Sequence, residues 1–548
     1  MNIRPFLQSC FSAFSFWGLV VATFFFAASL TPSLLPRQFA VQGLLSGLAL
    51  TVGYGMGVFF VWLWGYLELP RPNATLDRLS KQLTVAGVAV VAILFLWRAT
   101  IWQNSIRQLM EMNPVATAYP WRVALIACVT AVILILAIRG LRRGWLYLHA
   151  QVNRVVPRRV SYVLTTIAIA IFVLLVANKV IAKWALDVVD NAFLQLDEYV
   201  EEAIEAPVDA LASGSTESLI DWDSIGRQGK RFITTGPTQE QISEFTGKTA
   251  KRPLRVYVGV RTKETPEERA KLALDELIRV GAFKRSILIV ATPTGTGWLD
   301  PGAVDTVEFL HDGDTAIACI QYSYLPSWIT ILVDPQRSRV AGRAIFEEIY
   351  SYWTALPHDD RPELYLQGLS LGSLGSETSA DLFTVFEDPI QGAVWSGPPF
   401  PSTVWDQITR DRNADSPSWL PTFRDGSMVR FTARENALDR WGKRWGPMRC
   451  VYIQHASDPM TFFSPDLVYR KPSWLVGERG PDVSPYLRWY PIITFLQIAF
   501  DIPMATTTPH GYGHNFAPAS YIDAWFAVTA PEEWDNEDTA RLKKLFAE

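Results

Sequence analysis

Apolar residues along this chain are arranged in two different ways. Over the first 186 residues they form five near-continuous runs, approximately Phe11 to Leu30, Val41 to Leu67, Leu83 to Trp102, Trp121 to Ile138 and Tyr162 to Ala177. About 20 apolar residues make a helix long enough to cross roughly 30 Å of hydrocarbon, so residues 1–186 read as a transmembrane bundle of about five helices. The first run has Arg4 as its only basic lead-in and four more runs behind it, which favours a retained helix over a cleaved signal. The second run carries Gly43-x-x-x-Gly47 and Gly53-x-x-x-Gly57. Such small faces allow close helix approach, although glycine is also common in membrane helices generally. Arg98 lies near the outer end of the third run, where its side chain can reach the interface.

From about Asp187 the pattern changes. Asp and Glu with apolar residues at helical spacing run to about Ala212, followed by Ala212-Ser-Gly-Ser-Thr216, which reads as an amphipathic stalk ending in a loop. Residues 187–250 are therefore taken as stalk and linker, and 251–548 as a globular domain. Strand signals occur at Arg255–Gly259, Ser286–Ala291, Thr315–Gln321, Leu364–Gln367, Gly392–Trp395 and Arg449–Gln454. Helical patterns lie between them, at Ala341–Tyr352 and Leu371–Phe386 among others. Thr265-Pro-Glu-Glu268 opens another that runs to about Val280, with the cap, N1 proline and N3 carboxylate of a helix start. This alternation argues for an α/β fold with a mostly parallel sheet flanked by helices, whose reactive groups sit at the carboxyl ends of strands.

Composition narrows the function classes. The 548 residues are 49% hydrophobic and 19% charged, with 21 Trp, 18 Tyr, 30 Phe and a net charge of −4. That balance fits a chain partly in lipid and lacks the basic footprint of a nucleic-acid binder. Basic residues gather in the second loop (Arg71, Arg78, Lys81) and the fourth (Arg139, Arg142, Arg143, Arg154, Arg158, Arg159). The odd loops hold little beyond Arg37 and Arg107. Five crossings with these loops cytoplasmic make the chain a multi-pass inner-membrane protein with its globular domain outside, in the periplasm. Cys10, Cys128, Cys319 and Cys450 show no metal-ligand spacing and read as free, buried thiols.

The candidate chemistry centres on Gly368-Leu-Ser370-Leu-Gly372, which follows a strand signal and precedes a helical one. A strand-to-helix bend flanked by glycines is the nucleophile elbow, with Ser370 at its tip. A serine hydroxyl needs a base, and the base an orienting acid, in the chain order Ser, Asp or Glu, His. Both His510 and His514 lie in the glycine-rich loop Thr508-Pro-His-Gly-Tyr-Gly-His514. Residue type does not separate them, but the flanking glycines leave His514 free to project, so it is favoured. Asp458 follows the penultimate strand signal and is the preferred acid, with Asp501 as competitor. The oxyanion requires backbone N–H groups. Leu371 is expected to supply one and Thr296 or Gly297, in the loop Pro293-Thr-Gly-Thr-Gly-Trp298, another.

These residues resemble a bacterial family of membrane-anchored α/β-hydrolases that joins an N-terminal multi-span region to a C-terminal catalytic domain. The resemblance covers nearly the whole chain. It is carried by Gly226–Phe232, Pro293–Trp298, Gln321–Trp328, Gly368–Ser373, Trp395–Pro399, Gln454–Pro459 and Gly511–His514. The family's loop is similar to Gly-His-Gly-His. Here Tyr512 stands at its first His, and the second matches His514. The resemblance implies a serine hydrolase.

The sequence thus leads to a membrane-embedded serine hydrolase, without cofactor or metal, acting on an ester of a lipid or envelope molecule through Ser370, His514 and Asp458. Acyl transfer by the same triad, or a non-enzymatic transport or assembly protein with a binding-only outer domain, are the alternatives. Oligomeric state is not read from the sequence.

Overall fold

The computed structural model describes residues 14–70, 74–177, 204–379, 388–442, 444–532 and 534–547. The expected stalk falls largely outside them. The chain divides into two compact units. The first comprises Met1–Val188, Ser464–Leu475 and Asp482–Met504, and the second Val189–Phe463, Val476–Pro481 and Ala505–Glu548.

In the first unit the apolar runs become α1 (Phe16–Ser29), α2 (Phe39–Tyr66), α3 (Ala74–Leu109), α4 (Pro120–Val152) and α5 (Arg158–Ala177). Among the described residues, α2, the Arg78–Leu109 stretch of α3, and α4 are long and apolar enough to cross a membrane. At 1.5 Å per residue, α1 spans roughly 21 Å, short of a full crossing. The fifth expected run lies in α5, which reaches the limit of the described residues.

The two glycine pairs of α2 face different neighbours. A Cβ on Gly43 would stand 2.7 Å from Ile126, and one on Gly47 2.5 Å from Thr130, both on α4. On Gly53 it would stand 2.9 Å from Ala22 Cα, and on Gly57 2.7 Å from Gly18 Cα, both on α1. The small faces are thus used for backbone approach to two helices. Arg98 is exposed on α3. Cys128 is also exposed, on α4, which corrects the expectation of a buried thiol; Cys319 and Cys450 are buried, and Cys10 lies outside the described residues.

The helix Ile493–Asp501, from the far end of the sequence, also belongs to this unit. Arg37 Nε donates to Asp501 Oδ1 at 2.8 Å, with both side chains fully buried. The N–H groups of Leu34 and Leu35 donate to Asp501 Oδ2 at 3.2 and 3.4 Å. Arg37 donates further to the Gln497 carbonyl at 2.9 Å, to Gln42 Oε1 at 3.2 Å and to Ser33 Oγ. Buried charges persist when they are paired and their remaining donors and acceptors are met, as they are here.

The second unit is built on a seven-stranded sheet of order β1-β3-β2-β4-β5-β7-β6. Its strands are β1 (Leu254–Val258), β2 (Ile287–Thr292), β3 (Thr315–Ile320), β4 (Glu363–Leu369), β5 (Gly392–Ser396), β6 (Val429–Thr432) and β7 (Arg449–Ile453). Every pairing is parallel. The strands are buried almost throughout, which is why they read as unbroken apolar runs. Six match the sequence expectation. The unforeseen one, β6, has Arg430 inside a four-residue strand. That guanidinium is buried because it donates to the carbonyls of Gly426, Leu438, Gly442 and Arg444.

Thr265 and Glu268 form the expected capping box of the helix Pro266–Arg279. The helix after the elbow is Leu371–Ser376, and the remainder of its expected range enters residues 380–387, outside the described set. An all-parallel sheet opens all its carboxyl ends on one edge. The loops after β2, β4, β5 and β7 therefore meet there.

The buried pair in the first unit yields a test. Arg37→Met leaves the Asp501 carboxylate without its cation, which costs about 3–5 kcal/mol. The full chain in detergent is expected to show a lower unfolding midpoint for this unit, partly recovered when Asp501→Asn is added. An unchanged midpoint would contradict it.

Candidate active site

Ser370 joins β4 to the helix Leu371–Ser376 with φ +58° and ψ −124°. A non-glycine residue there is strained by about 1–3 kcal/mol. The flanking glycines are required by close approach. A Cβ on Gly368 would stand 2.4 Å from the Gly372 carbonyl group, and one on Gly372 2.1 Å from Thr292 O. The Ser370 N–H donates to Ser396 O at 2.9 Å, at the end of β5. The elbow read from the sequence is thus present in backbone geometry. Ser373 and Ser376 are otherwise engaged: Ser373 Oγ donates to Ser370 O at 2.7 Å, and Ser376 Oγ accepts from Trp395 Nε1 at 2.9 Å.

Asp458 follows β7 and caps the short helix Pro459–Phe462, accepting the Met460 N–H on Oδ1 at 2.8 Å. Its Oδ2 accepts from Thr461 Oγ1 at 3.1 Å and meets His514 Nδ1 at 2.7 Å. A carboxylate accepts, so Nδ1 carries the hydrogen and Nε2 keeps the lone pair a general base needs. The loops that carry Asp458 and His514 are held by further hydrogen bonds. His455 Nδ1 lies 2.9 Å from Gly513 O, the Gly513 N–H donates to Ser457 Oγ at 2.9 Å, and the His514 N–H donates to Ala505 O at 2.8 Å. His455 and Ser457 were not foreseen as holders of this loop. Their position beside Asp458 was the available signal. His510 is exposed, with Nδ1 3.1 Å from Phe516 O, and Asp501 is held by Arg37 in the other unit.

Ser370 and His514 are both buried, yet neither Ser370 Oγ nor His514 Nε2 has a hydrogen-bond partner among the described residues. They meet through a shared neighbour instead. Ser396 holds the Ser370 N–H, and Gly397 lies against the imidazole, where a Cβ would stand 2.4 Å from Cε1. Orphaned buried polar atoms call for a functional explanation, and catalytic hydrogen bonds are often loose before substrate binds.

Leu371 opens its helix, so its N–H has no acceptor within that helix. The second expected donor lies in the loop after β2, beside the elbow through the Thr292↔Gly368 register. There the N–H groups of Thr294, Gly295 and Gly297 donate to Trp298 O, Ser327 Oγ and Thr294 O at 3.0, 3.0 and 2.9 Å. Gly297 is therefore corrected as an oxyanion donor, because the turn uses its N–H. These bonds leave out the N–H groups of Thr296 and Trp298, of which Thr296 is the donor expected from the sequence. Its carbonyl accepts from Gln321 Nε2 at 3.2 Å, and the Gly297 carbonyl accepts from Tyr257 Oη at 2.8 Å. Tyr257 is backed in turn by Gly229 of the helix Arg227–Thr234, where a Cβ would stand 2.3 Å from its ring. Lys230 of the same basic segment is buried, with Nζ 5.0 Å from the Trp222 ring centroid. Among the described residues, no group of three or more His, Cys, Asp or Glu could hold a metal ion.

Comparison with known proteins gives two matches to family models. One, described as an alpha/beta-hydrolase family, spans residues 254–542. The other, described as the N-terminus of an alpha/beta-hydrolase family, spans residues 30–237. No curated protein and no solved structure matches the chain.

A second buried carboxylate lies behind the elbow. Glu377 Oε2 accepts from Tyr452 Oη at 3.0 Å and from the Trp405 N–H at 3.3 Å. Burial pushes its pKa from 4.5 up to about 7. The folded unit keeps this proton where the unfolded chain releases it. The stabilising contribution is therefore complete below pH 4.5 and lost as pH rises through about 7. The shift corresponds to roughly 3 kcal/mol. Glu377→Gln keeps an acceptor for Tyr452 without the charge. The stability difference between pH 5 and pH 8, measured by denaturant unfolding, is expected to shrink in this variant. Equal differences in variant and wild type would refute this.

Proposed function

Because the chain belongs to the alpha/beta-hydrolase family and carries, among its described residues, three helices long and apolar enough to cross a membrane, we propose that it is a membrane-embedded serine hydrolase cleaving an ester of a lipid or other envelope molecule. The observation that carries this reading is the Asp458–His514 bond at 2.7 Å, beside an elbow whose serine shares the Ser396–Gly397 peptide with the imidazole. Ser370 Oγ attacks the ester carbonyl carbon while its proton passes to His514 Nε2. Asp458 stabilises the imidazolium by accepting from Nδ1. N–H groups of Leu371 and Thr296 receive the oxyanion. Collapse expels the alcohol, which takes the proton from His514. Water, deprotonated by the same imidazole, then releases the acid and restores Ser370.

The membrane helices support a substrate drawn from the bilayer or its surface. The basic loops support a cytoplasmic N-terminal side, with the catalytic unit on the outer face of the inner membrane. Acyl transfer is a second reading, favoured by the burial of both Ser370 and His514. Limited access for water leaves the acyl-enzyme open to an alcohol or amine acceptor.

The full chain in lipid nanodiscs is expected to turn over a panel of acyl esters and to label with a fluorophosphonate. Ser370→Ala should abolish labelling and lower kcat by about 10^4-fold or more. Retained turnover and labelling in that variant would sink the assignment. Product partition with added acceptor separates hydrolysis from transfer.

A further inference from the structure

The Trp395-Ser-Gly-Pro-Pro399 segment has no part in the chemistry proposed above, yet it touches both reacting side chains' supports. Ser396 ends β5 and is fully buried. Its carbonyl accepts the Ser370 N–H at 2.9 Å, which fixes the strained residue that carries the nucleophile. The next residue, Gly397, has φ +53° and donates its N–H to Ile453 O, the last residue of β7, at 2.9 Å. A Cβ on Gly397 would lie 2.4 Å from Cε1 and 2.8 Å from Nδ1 of His514, so the imidazole rests on this backbone. One peptide unit thus sets the distance between nucleophile and base.

That peptide has its own anchor. Ser396 Oγ lies 2.8 Å from the hydroxyl of Tyr521, on the helix Pro518–Thr529, and both residues are fully buried. The Tyr521 hydroxyl also interacts with the carboxylate of Asp300, which accepts the Gly302 N–H at 2.9 Å just after the oxyanion loop. On its other side the Tyr521 ring stands edge-on to Phe516 at 6.4 Å, and Phe516 stands edge-on to His514 at 5.6 Å. Either hydroxyl of the Ser396–Tyr521 pair can donate to the other.

We propose that Tyr521 and Ser396 are positioning residues of this reaction, their paired hydroxyls holding the Ser396–Gly397 peptide that spaces Ser370 from His514. The inference rests on the serine-hydrolase reading. Misplacing a reacting group by about 1 Å can cost roughly 100-fold in rate, far more than a buried hydroxyl pair contributes to substrate binding it does not touch.

Tyr521→Phe and Ser396→Ala each remove one oxygen and leave the packing nearly intact. In the full chain in nanodiscs, each is expected to lower kcat and the fluorophosphonate labelling rate by about 10- to 100-fold. KM should stay within about 2-fold. The double variant should lose no more than the worse single variant, because both act through one link. A purely structural role would lower the unfolding midpoint while leaving kcat unchanged well below it. Wild-type kcat in both variants, or fully additive losses, would overturn the inference while leaving the hydrolase reading in place. A wild-type chain that neither turns over esters nor labels would remove that reading, and this inference with it.

Discussion

The backbone of Ser370 is held at φ +58°, a conformation that side chains other than glycine avoid. The rest of the second unit is arranged around keeping it there. On one side, β4 is fixed between β2 and β5 in a fully parallel sheet. On the other, the helix Leu371–Ser376 starts at once, so close to the strand that Gly368 and Gly372 leave no room for a Cβ. Strain of this size persists only where surrounding structure over-determines it. The carbonyl of Ser396, the peptide of Thr292 and the sheet itself supply that structure. The consequence is geometric: the hydroxyl is delivered to the sheet edge where the loops after β2, β5 and β7 converge.

Much of this was legible in the sequence, for physical reasons. Strands buried on both faces must be apolar throughout, so Ile287–Thr292 and Thr315–Ile320 announce themselves. A capping box needs defined residues at defined spacing, which Thr265 and Glu268 provide. The elbow needs two glycines and a serine in fixed order. What escaped depends on contacts that residue type and spacing do not display. Arg430 hides β6 because its carbonyl acceptors lie in surrounding loops. Gly297 looked like an oxyanion donor until its turn bond to Thr294 O was seen. Asp501 and Asp458 are both aspartates near apolar segments. What separates them is Arg37, 464 residues away from Asp501, a contact that no local pattern encodes.

The first unit shows the same dependence on partners. Glycines are frequent in membrane helices, so their spacing in α2 was ambiguous. The structure resolves it by setting one pair against α4 and the other against α1. This unit also takes in Ser464–Leu475 and Asp482–Met504, which lie in the sequence between Asp458 and His514. The acid and base of the proposed triad are thus separated by chain that packs elsewhere, anchored there by the Arg37–Asp501 pair. Ala505, the first residue back in the second unit, accepts the His514 N–H.

The proposed acyl-transfer site is tested most directly by an experimental structure of the chain after reaction with a phosphonate ester. The proposed mechanism requires phosphorus bonded to Ser370 Oγ, the phosphoryl oxygen facing the N–H groups of Leu371 and Thr296, and His514 Nε2 within hydrogen-bond reach of the bonded oxygen. A phosphonate on another residue, or one whose oxygen points away from both N–H groups with His514 out of reach, would contradict it.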